Sequence, residues 1–133
     1  MKEMIYDGKN AVTVLDDDVH RGYRYLILSY GRHPCAYVEI PPNSGFYGKH
    51  YDDMPEIACH GGLTYSDNRL YLENGQIIKG WFLGWDYAHS GDCSCVDGKV
   101  FGGKQWTTAE IKREAQEVID QIIESDPSSW GWL

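Results

Sequence analysis

The sequence has no hydrophobic run close to the roughly 18 residues that a membrane-spanning helix requires. Its N-terminal segment, residues 1–10, lacks the apolar core of a secretory signal and instead carries the charged side chains Lys2, Glu3, Asp7 and Lys9. These absences predict a protein with no membrane partner that stays in the cytoplasm where it is made.

Basic residues are scarce in this chain. It has 12 Lys and Arg against 20 Asp and Glu, which gives a net charge of -8 with His counted as neutral. Sequence-independent binding to nucleic acid needs a basic stripe that displaces counterions, so this balance excludes bulk nucleic acid as a partner. A local anion pocket built from a few Arg and Lys remains compatible with it.

Well-known catalytic and metal-binding motifs are also missing. The sequence contains no Walker loop, dinucleotide glycine fingerprint, nucleophile elbow or zinc-protease helix. Structural zinc centres use cysteine pairs spaced by about two to four residues at both ends. Here one close pair exists, with a single residue between its members, among Cys35, Cys59, Cys93 and Cys95. We therefore predict free thiols, no metal and no cofactor, and we favour a protein without catalytic activity.

Aromatic side chains are abundant instead, with ten Tyr, five Trp and three Phe among 133 residues. Segments rich in branched and aromatic residues predict strands over residues 11–15, 23–30, 36–40, 62–66, 69–73 and 76–85. A charged turn is expected at residues 16–18. Asn74-Gly75 between two apolar runs predicts a β-hairpin, and Asp97-Gly98 predicts a second tight turn.

One segment near the C-terminus predicts a helix. Thr107 and Glu110 fit a capping box, and Pro127 ends the segment. The apolar stripe that follows the cap is Ile111, Ala115, Val118, Ile119 and Ile122, and the expected outer face is Lys112, Arg113, Glu114, Glu117 and Asp120. Together these features predict one domain over residues 1–133 with an α+β fold. It should have a mixed or antiparallel sheet of about five or six strands and one long C-terminal amphipathic helix.

Two segments have no regular pattern. Residues 41–56 mix Pro, Gly, Asn, Ser and Asp, and predict a long ordered loop, which is often functional in a compact domain. The C-terminal tail, residues 128–133, contains Trp130, Trp132 and Leu133 and is too apolar for a free end. We expect this tail to fold back or to meet another subunit, and we expect a homo-oligomer.

Two polar segments supply a candidate site. His60 stands beside a Gly-Gly pair whose amides can cradle an anion, although the same residues also suit a tight turn that opens a strand. Asp86, His89 and Asp92 follow an apolar strand at three-residue spacing, so in one turn they point the same way. With His60 they match a hydrolytic metal site, a polar clamp around a ligand, or a buried network that only fixes the fold.

Aromatic and basic residues occur together at Arg32 and in the loop around Tyr47 and Lys49. An aromatic ring offers a stacking face and a nearby cation neutralises phosphate, which are the two contacts that a nucleotide needs. The alternative interpretation is a set of surface charges beside core aromatics.

Several sequence blocks together resemble a known family. They are Cys35-Ala36-Tyr37-Val38-Glu39-Ile40-Pro41, Tyr47-Gly48-Lys49, His60-Gly61-Gly62-Leu63-Thr64-Tyr65-Ser66, and Trp85-Asp86 running through Ala88-His89 to Gly91-Asp92. The pattern is similar to that of a family of small uncharacterised proteins of tailed phages and prophages, over about residues 32–123. This resemblance implies a protein of the host bacterial cytoplasm. Small phage proteins without enzyme motifs often act by binding, and several unrelated families sequester nucleotide immune signals of the host.

The leading hypothesis is therefore a phage-type, non-enzymatic binding protein that sequesters a small anionic ligand such as a nucleotide immune signal. The predicted ligand-binding residues are Arg32, Tyr47, Lys49, His60, Gly61, Gly62, Phe82, Trp85, Asp86 and His89. Among them, Tyr47 and either Phe82 or Trp85 are expected to stack on the base, and Arg32 and Lys49 are expected to contact phosphate.

Two other classes of function remain open at this stage. A metal-dependent hydrolase would use His60, Asp86, His89 and Asp92 as its catalytic cluster. A protein inhibitor of a host enzyme would use the acidic surface and the tryptophans of the C-terminal tail.

Overall fold

Five antiparallel strands form one sheet in a computed structural model, which describes residues 1–4, 6–8, 12–96 and 99–130. The strands are β1 (Thr13–His20), β2 (Tyr23–Ser29), β3 (Pro34–Glu39), β4 (Tyr65–Tyr71) and β5 (Ile77–Asp86), in the spatial order β1-β2-β3-β5-β4. A small hairpin of β6 (Ser94–Val96) and β7 (Lys99–Phe101) precedes the helix α1 (Thr108–Ser125). The predicted α+β fold is confirmed. No helix among the described residues is both long and apolar enough to cross a bilayer.

The central strands bury both of their faces because they are apolar at consecutive positions. One face packs against α1 in the larger core, which includes Tyr25, Ile27, Val38, Leu83 and Trp85. The opposite face holds a smaller core, which includes Leu26, Leu28, Tyr37, Leu70, Leu72 and Phe82. The sheet curves around this smaller core, because the Val14 amide of β1 donates to the Glu73 carboxylate after β4, at 2.7 Å.

The helix begins and ends as its sequence predicts. Thr107 and Glu110 form both hydrogen bonds of the capping box, and the predicted apolar stripe is buried against the sheet. One expectation is wrong, because Glu114 does not lie on a free outer face. It is one turn away from both Ile111 and Val118, at the edge of the apolar stripe, and its carboxylate contacts β5.

The hairpin predicted at Asn74-Gly75 is confirmed, but its connection is longer than two residues. β4 ends at Tyr71 and β5 begins at Ile77, with a 3₁₀ turn over Glu73–Gly75 between them. Tyr71 pairs with Ile77 in this register, whereas a two-residue Asn-Gly turn would pair Tyr71 with Ile78. A shift of one residue changes which side chains of the two strands face each other.

A β-bulge between Asp67 and Arg69 interrupts β4. The predicted strands 62–66 and 69–73 are therefore parts of one element rather than two. After the bulge, Arg69 pairs with Lys79. Because side chains alternate along β5, this pair lies on the face of the sheet that also carries Trp81, which packs on the larger core.

The first strand continues through the turn predicted at residues 16–18, so that prediction is wrong. The chain turns instead at Arg21-Gly22, where the φ angles are 52° and 84°. The aspartates stay in the strand because cations compensate them: Arg24 is 2.8 Å from Asp17, and Lys112 is 3.2 Å from Asp18. These ion pairs outweigh the low strand propensity of Asp.

Some predictions fall outside the described residues. The turn at Asp97-Gly98 does so, and so do residues 131–133 of the tail and the side chain of Trp130. The long loop, residues 41–56, is anchored by the buried ring of Phe46.

Candidate functional site

The two predicted polar segments meet at the end of the sheet where β5 finishes. His60 precedes β4, and its imidazole Nε2 is 2.7 Å from Oδ2 of Asp92 in the loop after β5. Tyr87 and Trp106 flank the imidazole, and Glu114 approaches from α1. We call these five residues the His60 centre.

Asp92 is the buried anchor of the His60 centre. Its side chain is only 4% exposed, and it also accepts hydrogen bonds from the Trp106 indole at 2.8 Å and the His89 amide at 3.0 Å. Burial alone would raise the pKa of this carboxyl. The hydrogen bonds from Trp106, His60 and the His89 amide outweigh burial and hold the pKa of Asp92 below its ordinary value.

Two aromatic rings fix the plane of the imidazole. His60 stacks on Tyr87 with ring centroids 4.9 Å apart and planes 7° apart. Trp106 packs on the imidazole with centroids 4.9 Å apart and planes 59° apart. The Cys93 amide donates a hydrogen bond to the Lys104 carbonyl at 2.9 Å, and this bond holds the segment that carries Trp106 beside Asp92.

Glu114 joins the helix to the same centre. Its Oε1 accepts hydrogen bonds from the Tyr87 hydroxyl, from the Trp85 indole at 3.1 Å and from the His60 amide at 3.2 Å. Burial, together with the hydrogen bond to Glu114, raises the pKa of Tyr87 far above its ordinary value. The phenol therefore stays protonated and remains a donor.

The second imidazole, His89, packs closely against the turn at Gly61. Its Nε2 lies 3.2 Å from Oδ1 of Asp86 without hydrogen-bond geometry and is shielded from solvent. A Cβ on Gly61 would lie 2.0 Å from this nitrogen, and the φ angle of Gly61 is 70°. Glycine is thus required at this position both by space and by backbone conformation.

The His60 centre fixes one imidazole between a buried carboxylate and two aromatic rings. Asp92 holds Nε2, whereas no described residue hydrogen-bonds Nδ1, and 24% of the side chain is exposed. Enzymes use a buried carboxylate in this way to orient a histidine as an acid or base. The adjacent Cys59 is not a ready nucleophile, because burial and the nearby Glu114 raise the pKa of its thiol to about 12.

The hydrolase hypothesis requires four side chains to converge on one metal ion. In the structure they form two direct pairs, His60 with Asp92 and His89 with Asp86. Within the described ranges, no group of three or more His, Cys, Asp or Glu side chains is placed to hold a metal ion.

Of the two amides predicted to cradle an anion beside His60, that of Gly62 is engaged, and so is the amide of His60 itself. The Gly62 amide donates to the Cys59 carbonyl at 3.0 Å, and the His60 amide donates to Glu114. Two carboxylates, Asp92 and Glu114, already accept from His60, so an anion approaching this centre meets negative charge.

Phe82 and Trp85 do not present a stacking surface. Their side chains are 0% and 1% exposed, and they lie on opposite faces of β5, in the smaller and the larger core respectively. This burial contradicts the prediction that either ring stacks on the base of a ligand.

The two predicted phosphate ligands lie at different points along β5, near its end and near its middle. The Arg32 carbonyl accepts from the Cys95 amide at 3.1 Å, near the end of β5 that carries Asp86. The Lys49 carbonyl accepts from the Trp81 indole at 2.9 Å. The strand advances about 17 Å between residues 81 and 86. The structure therefore does not bring Arg32 and Lys49 together at one phosphate.

Tyr47 instead lines an open groove of about 450 Å³ on the β4–β5 hairpin, which we call the hairpin groove. Its lining residues are Tyr47, Asn68, Arg69, Ile77, Lys79 and Gly80. Tyr47 is 47% exposed and Ile77 is 46% exposed, so both present apolar surface to a ligand. The volume is in the range of small-molecule sites.

The hairpin groove carries two uncompensated positive charges. Arg69 and Lys79 are directly opposite each other across β4 and β5, a placement that destabilises a pair of like charges. Neither forms an ion pair within the described part of the chain, whereas Arg24 and Lys112 do. The Arg69 Nε donates to the Asn68 side chain at 3.2 Å. In a protein of net charge -8, the described lining of this groove contains two cations and no carboxylate.

Comparison of the chain with protein-family models, with curated proteins and with solved structures finds no match. The resemblance to phage proteins therefore stays a prediction. The hairpin groove and the His60 centre are interpreted from their geometry and chemistry.

Sequence reasoning missed most residues of these two sites, and the ones with the clearest chemical part are Arg69, Lys79, Trp106 and Glu114. The signal for Glu114 is its position at the edge of the helical stripe. The signal for Arg69 and Lys79 is the hairpin itself, but their pairing depends on the length of the turn and on the bulge. Trp106 stands just before the capping box and has no periodic pattern that marks it.

Proposed function

We propose that the protein is a non-enzymatic binding protein that captures a small anionic ligand with a planar ring, such as a nucleotide, in the hairpin groove. The observation that carries this proposal is the pair Arg69–Lys79, two like charges held opposite each other without acidic partners, beside the exposed ring of Tyr47. An anion bound between them relieves their repulsion and gains charge-assisted hydrogen bonds.

Each lining residue has a distinct part in this binding mode. Arg69 offers the planar donor fork of its guanidinium group, whose Nε is steadied by Asn68. Lys79 adds a compact positive charge from the neighbouring strand. Tyr47 provides a ring face for stacking, which is worth about 1–3 kcal/mol per base, and Ile77 provides an apolar floor.

Sequestration of a nucleotide immune signal of the host is the biological role that the phage resemblance suggests for this groove. Such a role needs retention of the ligand rather than its conversion. No residue lining the described groove is a His, Cys, Asp or Glu that could act as a general base.

Isothermal titration calorimetry with adenosine 5′-monophosphate tests the proposal. We expect saturable binding that weakens at least about tenfold in Arg69→Ala, because one charge-assisted contact is lost. The matched control is Arg113→Ala, an exposed arginine of α1 that does not line the groove, and it should bind like the original protein. The absence of binding, or equal binding by both variants, would refute the proposal.

Native mass spectrometry of protein purified from infected host cells, before and after mild denaturation, addresses the natural ligand. Release of a nucleotide-sized mass supports capture. A retained zinc or manganese ion, with no organic ligand, would favour the hydrolase hypothesis instead.

A further inference from the structure

The hairpin groove places two cations where a single anionic group can meet both. Residues directly opposite in an antiparallel pair have Cβ atoms about 4.5–5.5 Å apart. Arg69 and Lys79 occupy such positions, so their long side chains can converge on one phosphate. This inference rests on the proposed function and concerns which class of phosphate the groove selects.

A phosphate monoester and a phosphodiester differ in charge at neutral pH. A terminal monoester carries close to two negative charges and three free oxygens, because its second pKa is about 6. A phosphodiester carries one charge and two free oxygens. A diester would therefore leave one of the two groove cations without a counter-charge, whereas a monoester dianion matches both.

We infer that the hairpin groove selects a terminal phosphate monoester attached to a planar ring, as in a nucleoside monophosphate, over an internal or cyclic phosphodiester. The fork of Arg69 contacts two oxygens of the phosphate, and the ammonium group of Lys79 contacts the third. Tyr47 stacks on the ring and limits how far the phosphate can lie from it.

The preference for a monoester can be tested by measuring both affinities at two pH values. Acidic groups border the groove: Glu39 of β3 lies behind Gly80, and Asp67 is on β4. Asp86 ends β5, and the loop that carries Tyr47 also contains the charged or titratable residues Lys49, His50, Asp52, Asp53 and Glu56. Between pH 7.5 and 5.5 the dianion fraction of a monoester falls about fourfold, while the charge of a diester does not change.

The test compares adenosine 5′-monophosphate with 3′,5′-cyclic AMP by calorimetry at pH 7.5 and pH 5.5. We expect the monoester to bind at least about tenfold more tightly at pH 7.5. The ratio of the two affinities should shrink about fourfold at pH 5.5. In Lys79→Gln the preference should largely disappear, because one cation remains. The thermal unfolding temperature of this variant should not fall, since Lys79 is exposed.

Two results overturn the inference in distinguishable ways. If both ligands bind equally and both weaken in Lys79→Gln, the groove binds anions without selecting monoesters, and the proposed function stands while this inference fails. If neither ligand binds, or if Lys79→Gln changes nothing, the proposed function and the inference fail together.

Discussion

Replacing Gly61 by alanine tests how closely the turn at His60 is packed. The new methyl group would lie 2.0 Å from Nε2 of His89, a separation that neither atom tolerates. The imidazole must move to make room, and this movement disrupts its contact with the His60 ring and carries its Nε2 away from Asp86. The φ angle of 70° adds a backbone penalty for any residue with a Cβ.

The expected loss of stability follows from these two costs. A left-handed conformation costs about 1–2 kcal/mol for a non-glycine residue. Forcing an extra methyl group into a packed site costs about 1–3 kcal/mol more. Gly61→Ala should therefore lower the free energy of unfolding by about 2–5 kcal/mol. Urea unfolding followed by tryptophan fluorescence measures this quantity.

Gly62→Ala is the matched control for the same turn. Its φ angle is 80°, but nothing lies within 4 Å of the position of a new Cβ. This variant should lose only the backbone penalty of about 1–2 kcal/mol. In a His89→Ala background, Gly61→Ala should cost no more than Gly62→Ala does. Equal losses for the two glycine variants in the original protein would refute the close packing of Gly61 and His89.

Three further changes probe the carboxylates and the groove. Asp92 has a folded pKa below its ordinary value of 3.8, so its stabilisation is present above that pH and is lost as the pH falls through the folded pKa. In Asp92→Asn the free energy of unfolding should fall less steeply as the pH is lowered. An unchanged pH dependence would contradict the stabilising role of the Asp92 carboxylate. Glu114→Ala should lower the free energy of unfolding in urea by about 2–3 kcal/mol, because the buried Trp85 and Tyr87 donors lose their acceptor. Glu117 is exposed, so the control Glu117→Ala should change this free energy by no more than about 0.5 kcal/mol. Equal losses would argue against a shared acceptor. Lys79→Gln should stabilise the ligand-free protein by about 0.2–1 kcal/mol by removing repulsion from Arg69, with a smaller gain at high salt, and a loss would contradict that repulsion.

The parts of the fold that local chemistry determines could be predicted from the sequence. The capping box at Thr107 and the apolar stripe after it specify the helix without reference to the rest of the chain. The polar segments around His60 and Asp92 also meet as expected, because both border the end of an apolar strand.

The parts that depend on pairing between distant residues could not be predicted. Three aspartates in a row look like a turn until Arg24 and Lys112 are known to compensate them. Phe82 and Trp85 belong to a strand buried on both faces, and nothing in their local sequence shows that neither ring reaches solvent.

The hairpin groove was beyond prediction for a related reason. The sequence places Arg69 and Lys79 as near to an aromatic residue as it places Arg32 and Lys49, so proximity along the chain does not identify the pair that a bulge and a long turn place together. Removal of one residue from either feature would change the register and separate the two charges. The register of the hairpin depends on how Leu70 and Leu72 pack in the smaller core, and no local motif specifies that packing.

The hydrogen bond from the Val14 amide to the Glu73 carboxylate also has a consequence for ligand binding. It fastens the end of the hairpin to the opposite edge of the sheet, and it does so on the side of the smaller core. The hairpin groove lies on the other side of the same two strands, so this hydrogen bond also restrains the strands that form its floor. Arg69 and Lys79 are thus preorganised at their cross-strand spacing before a ligand arrives. Under the proposed function, binding then orders the two side chains but does not require the backbone of the hairpin to rearrange.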